Sequence, residues 1–392
     1  MQLITFQDEM GKVRHIDVGH LYATFSQVRD YRQARGKRYT LAYLLTAICL
    51  AKLAGEQKPA GIAEWIRLRA TLLARLLGIV GLSTPSLNTI RRTLAHAVSA
   101  SELQTACLRF VRQTTGVEQS TLIVLDGKTL RGTIPTGASQ GVHLLTAYLT
   151  NDGLVLGQEA VDGKENEIRA APRLLQRLDL RRCVVGADAL LTQREIAQQI
   201  RRQGGDYILY AKDNQPHLLA DVRAFFQPLP RRPGWFRRPL PQTMAVMVDK
   251  QHGRREHRTL TLVADEEGFL DWPGARQVFR LQRRIVCILT GAVTEQTAYG
   301  LTSLPADKWD AQRLLPLTRA LWGIENGLHY RRDVTLHEDA TRMQDRNQAV
   351  AMATLNNFVI GLLGRLGFTN IASAQRRFAD GLMRSLMATC FL

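Results

Sequence analysis

The sequence predicts an α/β fold in which a mixed β-sheet is interrupted by a β-strand insertion and preceded by an all-α segment. Three observations predict this fold. Residues 24–112 show helical apolar spacing, residues 120–212 alternate between strand-like and helix-like runs, and further strand-like runs occur at 259–263, 277–281 and 285–290. At 392 residues the chain is long enough for two or three parts with sizeable cores.

We predict four successive segments from these shifts in pattern. They are an all-α N-terminal domain (1–112), the first part of an α/β core (113–215), a β-rich insertion (216–305) and the second part of the core with C-terminal helices (306–392). The insertion is expected because 113 residues separate Lys212, at the last strand of the core, from the acidic helix at Glu325, far more than an ordinary loop.

A short basic helix is predicted near the end of the N-terminal segment. Ser86 is a suitable N-cap, and helical spacing places Arg91 and Arg92 on the side away from Ile90 and Leu94. A helix-turn-helix recognition helix has such a face, which lies in the major groove of DNA. The alternative is a short basic amphipathic helix with no ligand, which is a common element.

Two predicted strands of the core end in aspartate. Residues 122–125 are consecutive apolar residues that lead to Asp126, and a second apolar run leads through residues 183–187 to Asp188. A helix is expected to follow Asp188, with Thr192 as its N-cap. Either aspartate alone could be a turn former or a helix cap, but the repeated context indicates a site.

The predicted order of the core is strand, strand, strand, helix, strand, helix, strand, with a hairpin turn at 151–153. This order is that of a ribonuclease-H-like mixed sheet, in which the first and fourth strands lie side by side. Asp126 and Asp188 would then be neighbours.

A third acid, Glu325, lies in a helical pattern and could complete an all-oxygen site for hard divalent metals. We expect the apolar residues around it to face a core: Leu321, Trp322, Ile324 and Leu328. Three nearby acids are rival ligands: Asp333, Glu338 and Asp339.

Charge points to a polyanionic partner. The chain has 52 Lys+Arg against 35 Asp+Glu, a formal net charge of +17, which is typical of proteins that bind nucleic acid or an anionic membrane. A basic protein without such a partner is the alternative.

The N-terminus carries acids where a signal peptide would be basic, and the apolar run at 39–55 is shorter than a membrane span and contains Lys52. The five cysteines show no C-x-x-C spacing and indicate neither a disulfide framework nor a zinc site. We therefore expect a cytoplasmic protein.

Five motifs in this order carry a resemblance to a known family: V-L-D-G-K-T-L-R-G, G-A-D-A-L-L-T-Q-R-E, Y-A-K-D-N-Q-P, H-G-R-R-E-H-R and W-G-I-E-N-G-L-H-Y-R-R-D-V. The sequence resembles the DDE transposases of bacterial insertion sequences, in the subgroup that includes the H-repeat-associated proteins. The resemblance extends from about Tyr31 to residue 360.

The resemblance implies that Asp126, Asp188 and Glu325 are catalytic and bind two Mg²⁺ ions, with Mn²⁺ as a substitute. It implies an enzyme that binds the ends of its element, cleaves DNA and joins the 3′-OH ends to target DNA. Its partners would be double-stranded DNA, as transposon ends and target, and a second copy in a homodimer on DNA. Such a bacterial protein would be associated with the nucleoid.

Further residues are candidate DNA contacts: Lys128, Arg131, Lys212, Asn214, Gln215, His252, Arg254 and Arg332, with Arg91 and Arg92. Asn214 and Gln215 could bind bases or cap a turn. Members of the wider family often have a basic residue after the catalytic Glu that binds a terminal phosphate. The resemblance implies this role for Arg332, which should lie on the face of Glu325 because seven residues are about two α-helical turns.

The sequence departs from the wider family at one place. Thr318 and Leu321 stand where that family has Tyr and Arg before the Glu. That phosphate clamp is therefore absent or is supplied by Arg319.

Two other functions remain open from the sequence. One is a domesticated or inactive transposase relative that acts as a DNA-binding protein. The other is a ribonuclease-H-like nuclease or resolvase that does not join DNA. The intact Asp126, Asp188 and Glu325 argue against decay of the site.

Overall fold

The structure is a computed structural model that describes residues 3–79, 84–118, 120–162, 165–227, 240–251 and 253–388. The chain forms two compact units. The first unit comprises Met1–Ser120, Gly127–Asn166 and Glu325–Leu392, and the second comprises Thr121–Asp126 and Glu167–Ile324.

The first unit begins with a β-hairpin, so the prediction of an all-α N-terminal segment is wrong at residues 3–17. Strands β1 (Leu3–Gln7) and β2 (Val13–Asp17) pair antiparallel. Ile4, Phe6 and Ile16 are buried. Buried and exposed residues alternate with a period of two, which is typical of a strand. Our prediction from helical spacing did not detect this pattern.

Helices follow, as predicted. Their bounds are α1 (Val18–Ser26), α2 (Leu41–Leu53), α3 (Pro59–Leu68), α4 (Ala70–Leu77), α5 (Leu87–Arg92) and α6 (Ala100–Thr115), with a 3-10 turn at Ala34–Gly36 and a π-helix at Thr93–Ala97. Every residue of α2 is buried, and α4 ends at Gly78 with a left-handed φ of 64°. The basic helix α5 is confirmed: Ser86 caps it, Ile90 and Leu94 are buried, and Arg91 and Arg92 are exposed.

Strand β3 (Leu122–Leu130) runs through both units. In the first unit the strand order is β5-β4-β3, with β4 (Val142–Leu149) and β5 (Leu154–Val161) antiparallel across the predicted turn. The first unit also contains the last two helices in the described part of the chain, α11 (Arg346–Arg365) and α12 (Ile371–Ala388). Arg365 at the end of α11 donates to the carbonyl oxygens of residues 115–117 and pairs with Asp152.

The second unit contains a mixed sheet of order β3-β6-β7-β11-β10-β9-β8. Its elements are α7 (Glu167–Gln176), β6 (Val184–Ala187), α8 (Arg194–Arg202), β7 (Asp206–Ala211), α9 (Pro216–Ala224), β8 (Gln242–Gln251), β9 (Arg254–Ala264), β10 (Gln277–Cys287), β11 (Val293–Thr302) and α10 (Ala311–Ala320). Strands β3, β6 and β7 are parallel. The predicted adjacency of the first and fourth core strands, β3 and β6, is confirmed.

Strands β8 to β11 form an antiparallel meander within the predicted insertion. Strand β11 pairs with β7, so the meander extends the core sheet instead of forming a separate one. The runs 277–281 and 285–290, predicted as two strands, belong largely to the single strand β10, because the polar residues between them remain paired with both neighbours.

No helix in the described parts of the chain is long and apolar enough to cross a membrane.

Charged side chains are buried together in the first unit. Arg332 is fully buried and its Nε donates to Glu338 Oε2 at 2.7 Å, while Asn356 Nδ2 donates to Glu338 Oε1 at 2.7 Å. Lys52 on α2 is also fully buried, and its Nζ lies 3.3 Å from Gln57 Oε1. Burial lowers the pKa of Lys52 to about 8, although the charge of Glu338 opposes this shift.

The pKa of Lys52 predicts a pH dependence of stability. Because the unfolded chain binds this proton more tightly than the folded chain, the free energy of unfolding rises with pH between about 8 and 10.4. Relative to Lys52→Met, the wild type should gain about 2 kcal/mol between pH 7.5 and pH 10, measured by urea unfolding. Lys12→Met, at an exposed position, is the control that should keep the wild-type gain. Equal gains in Lys52→Met and wild type would contradict the assignment.

Gly132, in the motif that follows β3, packs closely against another backbone segment. A Cβ atom there would lie 2.4 Å from the Thr341 carbonyl oxygen, whereas one at Gly364 in α11 would meet no atom beyond its own helix backbone closer than 3.9 Å. Gly132→Ala should therefore cost about 1–3 kcal/mol of stability in thermal unfolding. Gly364→Ala should cost nothing, because Ala favours a helix over Gly. A stable Gly132→Ala protein would show that this backbone moves apart freely.

Candidate active site

Asp126 and Asp188 follow the last paired residues of two adjacent parallel strands in the second unit. Leu125 on β3 is in register with Ala187 on β6, so the two aspartates are the next residues of their strands at the same edge. Asp126 is half-buried and Asp188 is exposed. The fixed ladder therefore places the two carboxylates side by side where the β3–β6 pairing ends. The prediction that the first strand ends at Asp126 is wrong, because β3 continues to Leu130.

The loop after Asp188 holds that carboxylate in place. Asp188 Oδ1 accepts hydrogen bonds from the backbone N–H groups of Leu190 at 3.0 Å and Leu191 at 3.4 Å. Helix α8 begins at Arg194 with Gln193 as its N-cap, so Thr192 is not the cap we predicted. Thr192 is buried instead, and its hydroxyl donates to the Tyr210 carbonyl on β7 at 2.7 Å.

The K-D-N-Q-P motif at residues 212–216, which directly follows β7, contacts this loop. Asn214 Nδ2 donates to the Ala189 carbonyl at 2.8 Å, and the Gln215 amide donates to the Thr192 carbonyl. The sequence left open whether Asn214 and Gln215 bind DNA bases or cap a turn. In the structure both side chains donate to backbone carbonyls of the loop. Lys212 is exposed at the start of the motif.

Glu325 lies in the first unit on a π-helix (Glu325–His329), which is followed by a second π-helix (Arg331–Thr335). Its side chain is 60% exposed, and His329 Nδ1 lies 3.7 Å from Glu325 Oε2. Burial, together with the charges of Arg332 and Lys128, lowers the pKa of His329 to about 3, so its imidazole is neutral at neutral pH. Glu325 and His329 thus form an acid and imidazole pair able to take part in holding a metal ion.

The residues around Glu325 only partly follow the helical prediction. Leu321, Ile324 and Leu328 are buried as expected, but Trp322 is 54% exposed. Sequence reasoning also missed His329, although its signal was the spacing of four residues after Glu325 in E-N-G-L-H.

The rival acids in the first unit are held by cations. Lys128 Nζ lies 2.6 Å from Asp333 Oδ2 and 3.9 Å from Asp339 Oδ2, and its side chain is only 9% exposed. Asp339 also accepts from the Arg131 N–H at 3.0 Å, and Glu338 is buried against Arg332. These contacts favour Glu325 over its rivals. They also occupy Lys128, whereas the Arg131 side chain remains 80% exposed.

Arg332 requires a correction. We expected it on the face of Glu325 because seven residues make two turns of an α-helix, but a π-helix has wider turns and does not preserve that face. The side chain is fully buried in its ion pair with Glu338 and presents no surface to DNA.

Core residues occupy the positions of the wider family's phosphate clamp. Thr318 is buried, and Leu321 packs against Gly186, where an added Cβ would lie 1.9 Å from Leu321 Cδ2. Arg319 pairs with Asp249 at 2.8 Å and is 36% exposed. The described structure thus gives Arg319 a protein partner.

Three of the remaining candidate DNA contacts are exposed: Arg91, Arg92 and Arg254. His252 lies outside the described residues.

Comparisons with known proteins agree with the motifs. Residues 118–362 match the sequence profile of the family described as "Transposase DDE domain", and residues 22–111 match the one described as "DDE_Tnp_1-associated". The chain is 27% identical over 379 residues to "H repeat-associated putative transposase YhhI" of Escherichia coli (strain K12), covering 95% of each. It is 32% identical over 289 residues to "Uncharacterized protein in dhlA 3'region" of Xanthobacter autotrophicus, covering 72% of this chain and 94% of that protein.

Among solved structures, the chain is similar to piggyBac transposase in a synaptic complex with hairpin DNA. The TM-score is 0.43 and the identity 10%, over 95% of this chain and 77% of that one. This likeness is too weak to carry an argument. The family match covers well over half of the chain, and the resemblance read from the motifs is confirmed. The chain therefore belongs to the family of transposases with a DDE domain.

Proposed function

We propose that this chain is an active transposase that binds the ends of its insertion sequence, hydrolyses phosphodiester bonds there and joins the 3′-OH ends to target DNA. One observation carries the proposal: in a chain of this family, Asp126 and Asp188 directly follow the last residue pair of the parallel strands β3 and β6. The parallel strands β3, β6 and β7, with the β4–β5 hairpin, would form the ribonuclease-H-like core.

We further propose that Asp126, Asp188 and Glu325 hold two Mg²⁺ ions, for which Mn²⁺ can substitute. The donors fit hard cations, since all three are carboxylates. Asp188 is prepared for this role: backbone amides bind one of its oxygens, and among the described residues no hydrogen bond reaches the other. When bound, the ions would lower the pKa of water and stabilise charge on the phosphate oxygens.

The residues of the chain orient these ligands and the DNA. Asp126 is fixed by the β3 strand, and Asp188 by the amides of its loop. The neutral His329 places no positive charge beside Glu325 that would compete with a cation. The exposed Arg131 and Lys212 are candidate phosphate contacts on the segments that follow β3 and β7.

The DNA partner follows from charge. A net charge of +17 favours binding to phosphate, and Arg91 and Arg92 lie exposed on a capped helix. Joining two ends of one element requires that both be held together, so we propose a homodimer on DNA.

We predict that the three acids are required for cutting and joining DNA. The test uses a labelled duplex that carries the end of the insertion sequence, which is sought as an inverted repeat in the DNA on both sides of the gene. On this duplex the wild type should cut and join in Mg²⁺ or Mn²⁺. Cutting and joining should be slower in each of the variants Asp126→Asn, Asp188→Asn and Glu325→Gln. The loss of activity should exceed the roughly 10–100-fold that is typical when a hydrogen-bond partner of a metal ligand is removed. DNA affinity should persist, because the carboxylates contribute no attraction to phosphate.

The matched control is Glu64→Gln, at an exposed acid of α3, which should retain cutting and joining. Wild-type protein that binds the duplex but cuts nothing in either metal would support the inactive DNA-binding relative. Cutting without joining would support a nuclease or resolvase.

We predict that the basic helix α5 contacts DNA phosphates. Replacing Arg91 and Arg92 together by Gln should make the dependence of DNA affinity on salt less steep. The magnitude of the negative slope of log K against log salt, where K is the association constant, should fall by about 2, because each phosphate contact releases about one counterion. Fluorescence anisotropy of the same duplex between 50 and 200 mM salt, roughly the range over which such slopes are resolved, measures this effect. Arg181→Gln, at an exposed arginine paired with Asp179, should leave the slope unchanged. An unchanged slope in the α5 variant would remove this helix from the interface.

A further inference from the structure

The loop between β6 and α8 carries Asp188 and is anchored to β7 and to the segment that follows it. Asn214 binds the Ala189 carbonyl at 2.8 Å, Gln215 binds the Thr192 carbonyl, and the Thr192 hydroxyl binds the Tyr210 carbonyl at 2.7 Å. The anchors therefore hold both ends of residues 189–192.

The position of this loop sets the orientation of the Asp188 carboxylate. Asp188 Oδ1 accepts from the N–H groups of Leu190 and Leu191, which lie between the two anchored carbonyls. The Thr192 hydroxyl also lies 3.2 Å from the Asp188 carbonyl. A shift of the loop would move the amides that fix Oδ1 and would turn the carboxylate with them.

The sheet explains why these two segments meet. Ala187 at the end of β6 is in register with Leu209 on the parallel strand β7, so the segments that leave both strands start at the same edge. The K-D-N-Q-P motif ends at Pro216, which starts α9 and has no N–H to donate. Asn214 and Gln215 lie in the turn before this helix, and their side chains contact the neighbouring loop.

We infer that Asn214 and Gln215 are positioning residues that hold the Asp188 carboxylate in the orientation needed to bind a metal ion. This inference rests on the proposed function, in which Asp188 is a metal ligand. In this inference the side-chain amides of Asn214 and Gln215 support Asp188 and do not bind DNA bases. The amide donors are directed at loop carbonyls, and Gln215 is only half exposed.

The test removes the donors and keeps the side-chain size. Asn214→Leu and Gln215→Met are made singly and together in the full chain, with Gln312→Met on the exposed face of α10 as the control. Three quantities are measured: binding of Mn²⁺ by electron paramagnetic resonance, hydrogen exchange of residues 188–193, and affinity for the inverted-repeat duplex in EDTA.

We expect the double variant to bind Mn²⁺ roughly tenfold or more weakly, as outer-shell partners of metal ligands do when they are lost. Exchange of the 190 and 191 amides should be faster, while duplex affinity stays within twofold. The Gln312→Met protein should match the wild type in all three. The circular dichroism spectrum identifies any variant that fails to fold, and the milder single variants then replace the double.

Two results would overturn the inference. One is unchanged Mn²⁺ binding with duplex affinity reduced tenfold, which would make the motif a DNA contact. The other is unchanged exchange at residues 190 and 191, which would show that the loop does not need its anchors. If the wild type binds no Mn²⁺, the metal role in the proposed function fails, and the exchange data separately decide whether the anchors hold the loop.

Discussion

The parallel pairing of β3 with β6 is the constraint on which the candidate site depends. Parallel strands have a fixed register, and here the pairing of Leu125 with Ala187 makes the following aspartates neighbours. A slip of one residue would turn each side chain to the other face of the sheet. A slip that carried Asp126 into the place of the buried Leu125 is opposed, because burying an unpaired carboxylate is costly.

A second group of contacts surrounds Glu325 within the first unit. The nearby acids are each held by a cation: Asp333 and Asp339 by Lys128, and Glu338 by Arg332. Because these acids are neutralised locally, the negative charge that stays exposed in this segment is concentrated on Glu325. The buried pair of Arg332 and Glu338 costs desolvation of both charges, which the hydrogen bond from Asn356 partly offsets.

Much of this arrangement could be predicted from sequence, and the failures share a physical origin. Apolar runs ending in Asp126 and Asp188 predicted adjacent strands, because burial on both faces leaves a strong signal. Helical spacing could not reveal the π-helices at Glu325–His329 and Arg331–Thr335, since one extra residue per turn leaves the composition unchanged, and this error misplaced Arg332. Trp322 lies before them, in the turn that follows α10. The partners of Asn214 and Gln215 could not be predicted either, because the contacted carbonyls belong to a segment 23–25 residues away.

The discontinuity of the first unit has a consequence for synthesis. The second unit is mostly one continuous stretch, Glu167–Ile324, whereas the first unit needs the C-terminal residues from Glu325 onward. Arg365 near its end binds the carbonyl oxygens of residues 115–117, about 250 residues earlier in the chain. A chain still on the ribosome lacks these contacts, since synthesis proceeds from the N-terminus and domains fold as they emerge. The first unit is therefore completed only after the residues from Glu325 onward have been synthesised, and a product that terminates before Glu325 would lack both the acidic segment and helix α11.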